Sequence, residues 1–588
     1  MFKNPDINSA VVRDAPSNQW LSFRHPLSIF TTHHLNEVRP LLIAMEREIQ
    51  EKGLWAVGFI NYEAAPAFDP ALKTKNPTEF PLLWFASYKS PELIPDASFT
   101  QSPKDYQMNW KSSLKQGEYQ HAIARIKQYI RSGDTYQVNY SFRLQATFHQ
   151  EPWPFFTQLI RVQGNTYGAY LNLPDWSICS ASPELFFQLN GHDLVSKPMK
   201  GTMPRGLWFE DDQNKASELH HSEKNRAENV MIVDMMRNDV GRIAEAGSVN
   251  VPSLFDIEQY PTLWQMTSKV SGTTKAGIAE IFRALFPPAS ITGAPKSRTM
   301  EIIAELEKNP RNIYTGTIGF IAPDRRAQFN VAIRTVLVNK RENVAEYGTG
   351  GGIVWDSTPA SEFRECQTKA RLLTHAYPEF SLLESLLWSP ENGFYLLEGH
   401  LERLRKSATY FGFPLDIEGI RILLTESTRA LAPLDHKVRL LVPEHKSPVI
   451  ETRPLQSRQG SYHVCLAKEP VDSTNPFLYH KTTLRDVYDQ RLKSHPESHD
   501  VLLWNEKGEI TESCSANVIF EMEGQWFTPP IICGLLPGVY RSCLLEQGKL
   551  KERKIGVDEI DKCTRLMLAN SVRREWDVIL RANQDLPV

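Results

Sequence analysis

Lys200 stands in "SKPMKGTMPRG", residues 196–206, behind Pro198 and ahead of a Gly-Thr pair, where a strand end runs into a tight turn. An amine at such a place is a nucleophile only if its surroundings keep it neutral. Alone it would read as a surface lysine, so its neighbours in chemistry decide. Glu228 interrupts the helical apolar pattern of "HHSEKNRAENVMIVDMMRNDVGRI" just before "MIVDMM". In "SEFRECQTKARLL", Glu362 and Glu365 lie three apart and Lys369 four further on, so a helix puts all three on one face. Salt bridging on a solvated face explains that spacing by itself. The preceding "YGTGGGIVWDST" adds Gly348, Gly350, Gly351 and Gly352 as a loop through which backbone N–H groups approach an anion closely. "PPASITGAPKSRTMEII" repeats the plan, a turn opening a helix whose first N–H groups suit a carboxylate. Carboxylates on helices beside glycine-rich backbone suggest Mg²⁺, a hard cation bridging protein oxygens to an acidic substrate.

The elements that must position these groups are legible in outline. "WAVGFINYEAA" reads as a buried strand ending in a loop. "EYQHAIARIKQYIRSGDTY" reads as an amphipathic helix with Tyr119, Ile123, Ile126 and Ile130 on one face and Gly133 as its stop. "SICSASPELFFQL", "YTGTIGFIA" and "QFNVAIRTVLV" each read as a strand. The expected fold class is α+β, a large domain with extensive antiparallel sheet over residues 1–375. The pattern resets at 376–381, and "LLESLLWS", "GHLERLRKSATYFGF", "VRLLV" and "YHVCLA" make a smaller mixed α/β domain over 382–588. A chain of 588 residues is too long for one core, which agrees with two domains.

Composition excludes several classes. The chain is 41% hydrophobic and 23% charged with a net charge of -3, and no Lys/Arg run offers a nucleic-acid footprint. No apolar run is long enough to cross a bilayer and the N-terminus lacks the apolar core of a signal peptide, so a cytoplasmic, membrane-free protein is expected. Cysteines 179, 366, 465, 514, 533, 543 and 563 form no C-x-x-C and no zinc spacing, so any metal is held by oxygen.

"SASPELF", "KPMKGTMPR", "AENVMIVDMMRNDVGRI", "SITGAPKSRTMEII", "YTGTIGF", "NVAIRT" and "GGGIVWDSTPASEFRE" occur in the order found in chorismate-utilising enzymes, the anthranilate, isochorismate and aminodeoxychorismate synthases, and this part of the chain, most diagnostic over 118–372, resembles them. The resemblance implies that Lys200 marks the aminodeoxychorismate synthase branch, where a lysine is the nucleophile and its relatives carry a small residue. It implies Glu184 as general acid, Glu228 and Glu365 as Mg²⁺ ligands with Glu362 in support, and Thr292, Tyr314, Arg334, Gly350 and Lys369 as substrate-binding positions. The substrates implied are chorismate and ammonia. Gln265 replaces the histidine usual in anthranilate synthases, which points away from that branch as Lys200 does.

"YHKTTLRDVYD", "GEITESCSANVIF", "TPPIICGLLPGVYR" and "LANSVRREW" resemble fold-type IV pyridoxal phosphate enzymes, 4-amino-4-deoxychorismate lyases in particular. That likeness implies Lys481 as the lysine that holds the cofactor and moves the substrate proton. It implies Glu512 on the pyridine nitrogen, and Arg403, the backbone at Val539 and Ser571 around the phosphate. Fold-type IV also includes branched-chain and D-amino-acid aminotransferases, so the cofactor motifs do not choose the reaction. Adjacency does, because the product implied for the first domain is the lyase's substrate and 4-aminobenzoate follows. No cysteine sits in a glutaminase-like elbow, so ammonia is expected free or from a separate amidotransferase subunit, and a homodimer through the pyridoxal phosphate domain is allowed.

Overall fold

The computed structural model describes residues 4–581 apart from 96–98, 100–105, 107, 165–166, 375–377 and 459. Two compact units emerge: residues 1–204 with 216–377, and residues 205–215 with 378–588. The segment 205–215, which the sequence alone leaves inside the first domain, thus belongs to the second unit. Positions 376 and 377 of the expected connection lie outside the described residues. Among the described residues, no helix is long and apolar enough to cross a membrane.

Unit 1 is built on two ten-stranded sheets, counted among the described residues, whose pairings are antiparallel. Alternation along the strands sorts side chains between layers. Ile178 of the strand Trp176–Ser180 joins Val57, Phe59 and Phe320 in a core between the sheets, while the next residue, Cys179, packs with Phe155, Phe156 and Leu159 of the helix Pro152–Gln163 on the outer side. The other sheet is covered by the helices Leu35–Lys52, Glu223–Gly241 and Ile278–Leu285. The amphipathic helix forms as Gln116–Arg131, burying Tyr119, Ile123 and Ile126, and Gly133 follows it with φ 77°.

Two expected strands are each broken into a pair. "SICSASPELFFQL" becomes Trp176–Ser180 in one sheet and Leu185–Asn190 in the other, and "QFNVAIRTVLV" becomes Ala327–Val331 and Thr335–Asn339, again in different sheets. The chain crosses between layers at Glu184 and at Arg334, whose φ is +50°. Both crossings therefore deliver a charged side chain to one place, and strained backbone at such a place is a mark of function.

A second correction concerns the glycines. Gly348, Gly350, Gly351 and Gly352 are not a loop but lie within the strand Val344–Ile353, paired with Gln137–Thr147. Glycine is needed there for close approach, because a Cβ on Gly348 would run into the Tyr314 ring.

Unit 2 contains, among its described residues, two four-stranded sheets and one five-stranded sheet, with parallel pairings at His463–Leu466 and at Lys551–Glu552. The helix Leu397–Phe411 packs on the strand Ser381–Ser389, and the helix Val539–Glu546 packs through Tyr540 and Leu544 on Ala569 of the strand Arg565–Asn570. The backbone of Lys481 is tied to that first strand, since Leu383 N–H donates to the Lys481 carbonyl at 2.9 Å.

Candidate active sites

In unit 1 a cavity of about 330 Å³ is lined by Lys200, Glu184, Glu228, Glu362, Glu365, Tyr314, Arg334, Gly350 and Lys369. Lys200 comes from the strand Met199–Pro204 and Glu228 from the helix Glu223–Gly241, where Lys224 and Asn225 fall on the same face and line the cavity too. Glu362, Glu365 and Lys369 share one face of the helix Pro359–Ala370, as the spacing predicts, and Lys369 Nζ sits 2.8 Å from Glu365 Oε1 and 2.9 Å from the Gly350 carbonyl. Thr292 is the exception. Its hydroxyl donates to the Pro288 and Ala289 carbonyls, and its neighbours Ser290 and Ile291 line the cavity instead.

Burial sets the charge states. It pushes the Glu184 carboxyl up to about 7, against a 2.5 Å hydrogen bond from Ser290 Oγ that favours the ionised form. It drives the Lys200 amine below its ordinary value, although Glu228 pulls the other way. Lys369 holds Glu365 low. Burial opposes charge on Lys369 as well, but Glu365 outweighs it and keeps that amine protonated. Burial thus moves one lysine toward its neutral form, while the other stays a cation. Arg334 points its guanidinium at Gln163, and Arg143 stacks 4.9 Å from the centre of the Tyr314 ring.

The oxygen donors Glu228, Glu362 and Glu365 suit a magnesium ion that keeps waters and substrate oxygens in its shell. Among the described residues no three such side chains stand grouped so as to hold a metal ion by themselves, so waters and substrate would have to supply the rest of its shell. Sequence reasoning missed Ser290, although its motif was in view, and Gln137. The latter is fully buried with both amide atoms unpartnered, and shares with Lys200 Nζ the space over Gly352. Gln265, by contrast, donates from Nε2 to the Gly201 carbonyl at 2.8 Å, beside Lys200.

In unit 2, Arg403 and Glu512 face Lys481. Burial, then the nearby Arg403, drives the Lys481 amine down to about 7. Burial pushes the Glu512 carboxyl up to about 7 despite a 2.9 Å hydrogen bond from Tyr488. Arg403 is held by two bonds to Glu384, at 2.9 and 2.6 Å, and reaches the Pro537 carbonyl just ahead of the helix that Val539 opens. Burial disfavours the Glu384 charge, but Arg403 and His400 outweigh it and hold its carboxyl at about 2. Ser571 is buried at the end of the strand against which that helix packs. A buried lysine shifted toward its neutral form, a buried carboxyl facing it, and a fixed guanidinium beside a helix N-terminus fit pyridoxal phosphate as a donor set.

The family model described as chorismate binding enzyme matches residues 10–375, and that described as amino-transferase class IV matches residues 381–579. Aminodeoxychorismate synthase component 1 of Bacillus subtilis (strain 168) is 36% identical over 329 residues, 56% of this chain and 67% of the relative. That of Klebsiella aerogenes is 41% identical over 267 residues, 45% of this chain and 59% of the relative, so the match leaves two fifths of that protein uncovered. In fold, anthranilate synthase component I from Streptococcus pneumoniae TIGR4 is similar at a TM-score of 0.53 and 22% identity, covering 64% of this chain and 94% of that one.

Proposed function

Because the chain belongs to the chorismate binding enzymes over residues 10–375 and carries a class IV aminotransferase domain over 381–579, we propose that it converts chorismate to 4-aminobenzoate in two steps. The observation that carries the first step is the pairing, in one cavity, of Lys200 and Glu184, each shifted by burial toward its neutral form. The neutral Lys200 amine attacks C2 of chorismate as Glu184 gives its proton to the departing C4 hydroxyl. Ammonia then enters at C4 and expels Lys200, leaving 4-amino-4-deoxychorismate. Tyr314 and Arg334 hold the enolpyruvyl carboxylate, where a guanidinium binds two oxygens at once. Glu228 and Glu365, supported by Glu362, would hold magnesium, whose charge anchors the ring carboxylate.

In the second step Lys481 takes the C4 proton, pyruvate leaves and the ring becomes aromatic. Pyridoxal phosphate held at Lys481 would supply the electron sink. Glu512 would keep the pyridine nitrogen protonated, while Arg403, the Val539 N–H and Ser571 would hold the phosphate. The lysine near pH 7 supports a proton carrier suited to neutral solution. Relatives named "component 1" support ammonia delivery by a separate amidotransferase.

The first step is tested by intact-protein and peptide mass spectrometry after incubation with chorismate and Mg²⁺ without ammonia. A covalent chorismate-derived mass on the peptide containing Lys200, absent in Lys200→Ala, is expected. Turnover to product by Lys200→Ala at the wild-type rate would sink the lysine mechanism.

A further inference from the structure

Directly after the strand that carries Lys200, the chain enters Arg205–Lys215, a segment built into unit 2. Its anchoring is costly and specific. The Arg205 guanidinium makes two 2.7 Å bonds to Asp212, with the two side chains only 7% and 1% exposed, and a third 2.7 Å bond to the Tyr410 carbonyl. A buried ion pair is tolerated only when its polar atoms are met this closely. Tyr410 answers by donating its hydroxyl to the Gly206 carbonyl at 2.7 Å, and the Arg205 guanidinium lies 4.5 Å from its ring centre. Trp208 stacks on Tyr479, and Lys406 pairs with Glu210 at 2.6 Å. A connecting loop alone needs none of this.

What the segment grips lies beside the cofactor lysine. The Tyr410 ring stacks 4.2 Å from the ring of His480, the residue before Lys481, and the Leu207 backbone reaches the same imidazole. His480 is buried, with Nδ1 3.0 Å from Ser407 Oγ, and burial drives its pKa down to about 3, so it is a neutral wedge. On the other side Lys481 and Thr482 are pinned to Leu383 and Leu382 of the neighbouring strand. The backbone of Lys481 is thus fixed between a strand and this wedge.

We propose that residues 205–215 are a positioning element of the pyridoxal phosphate site, holding Lys481 in its water-poor setting through Tyr410 and His480. This rests on the reading of Lys481 as the cofactor lysine. The class IV domain, matched only over 381–579, then depends on a segment encoded inside the chorismate binding region. The charged and titratable groups facing Lys481 are Arg403, Glu384, Arg485, Glu512 and His400, and none of them lies within residues 205–215.

The test loads cofactor-stripped full-length protein with pyridoxal phosphate across pH, following absorbance, in wild type, Tyr410→Phe, Trp208→Ala and Arg205→Ala. Tyr410→Phe removes the hydroxyl bond to Gly206 yet keeps the ring on His480. Wild type should load with a midpoint near pH 7. Each variant should raise that midpoint by about one unit and weaken retention about tenfold. Chorismate consumption by Tyr410→Phe should stay at the wild-type level. Wild-type loading in folded variants overturns the proposal, as does a loss of thermal stability with the midpoint unmoved. If Arg205→Ala or Trp208→Ala does not fold, Tyr410→Phe decides. If wild type takes up no pyridoxal phosphate, the cofactor reading itself fails.

Discussion

A Cβ placed on Gly352 would lie 2.7 Å from the Nζ of Lys200 and 2.6 Å from the Nε2 of Gln137. Backbone therefore forms the wall against which the lysine amine is aimed. Gly352→Ala should displace that amine while leaving the strand Val344–Ile353 paired, since alanine tolerates its extended backbone. A shift of this kind costs about 100-fold in rate. Chorismate turnover should fall by that order with near-normal thermal stability, and a turnover loss under threefold would contradict the placement of Lys200.

The Ser290 hydrogen bond lowers a Glu184 carboxyl that burial raises. With Glu184 proposed as the acid, Lys200 adduct formation should fall as pH rises through about 7. Ser290→Ala removes the lowering contribution and should move this limb to higher pH. Measuring adduct formation without ammonia avoids the titration of ammonium itself. An unmoved limb would mean that Glu184 is not the acid.

Glu512 carries a sign that stability measurements can read. Its folded pKa of about 7 is above the ordinary carboxylate value, so between the two the folded state binds more protons. Cofactor-free protein should then lose stability as pH rises from about 5 to 7, by at most about 1.4 kcal/mol per pH unit. Glu512→Gln should flatten that dependence in a thermal-unfolding series. An identical slope in the variant would remove Glu512 as its source.

How far the sequence reached is clearest at single residues. The motif blocks led to Lys200, Glu184 and the carboxylates of the Pro359–Ala370 helix because helical spacing and ordered blocks are local properties. Gln137 was invisible because an amide within "TYQVNY" looks like any strand residue, and only the pairing of its strand with Val344–Ile353 sets it at Gly352, where the Lys200 amine from the other sheet also lies. The breaks at Glu184 and Arg334 were missed because apolar runs resume at once on the far side, from Leu185 and from Val336, although Pro183 marks the first break, and the two-sheet packing sets both crossings. The membership of 205–215 in unit 2 rests on Tyr410 and Tyr479, partners that no local pattern announces.

Metal removal should separate the two sites. Chelation should abolish Lys200 adduct formation, restored by Mg²⁺, because Glu228 and Glu365 are proposed to anchor the substrate through the metal. Conversion of supplied 4-amino-4-deoxychorismate should be untouched. Equal loss of both activities would place the metal requirement elsewhere.

The central claim is that one chain runs both steps with two lysines. Purified wild type, Lys200→Ala and Lys481→Ala are given chorismate, Mg²⁺, an ammonium salt and pyridoxal phosphate, and products are identified by mass spectrometry. Wild type should release 4-aminobenzoate and pyruvate, Lys481→Ala should accumulate 4-amino-4-deoxychorismate, and Lys200→Ala should lose or slow the first step. Anthranilate or isochorismate from wild type, or no product until an amino acid and a keto acid are supplied, would contradict it.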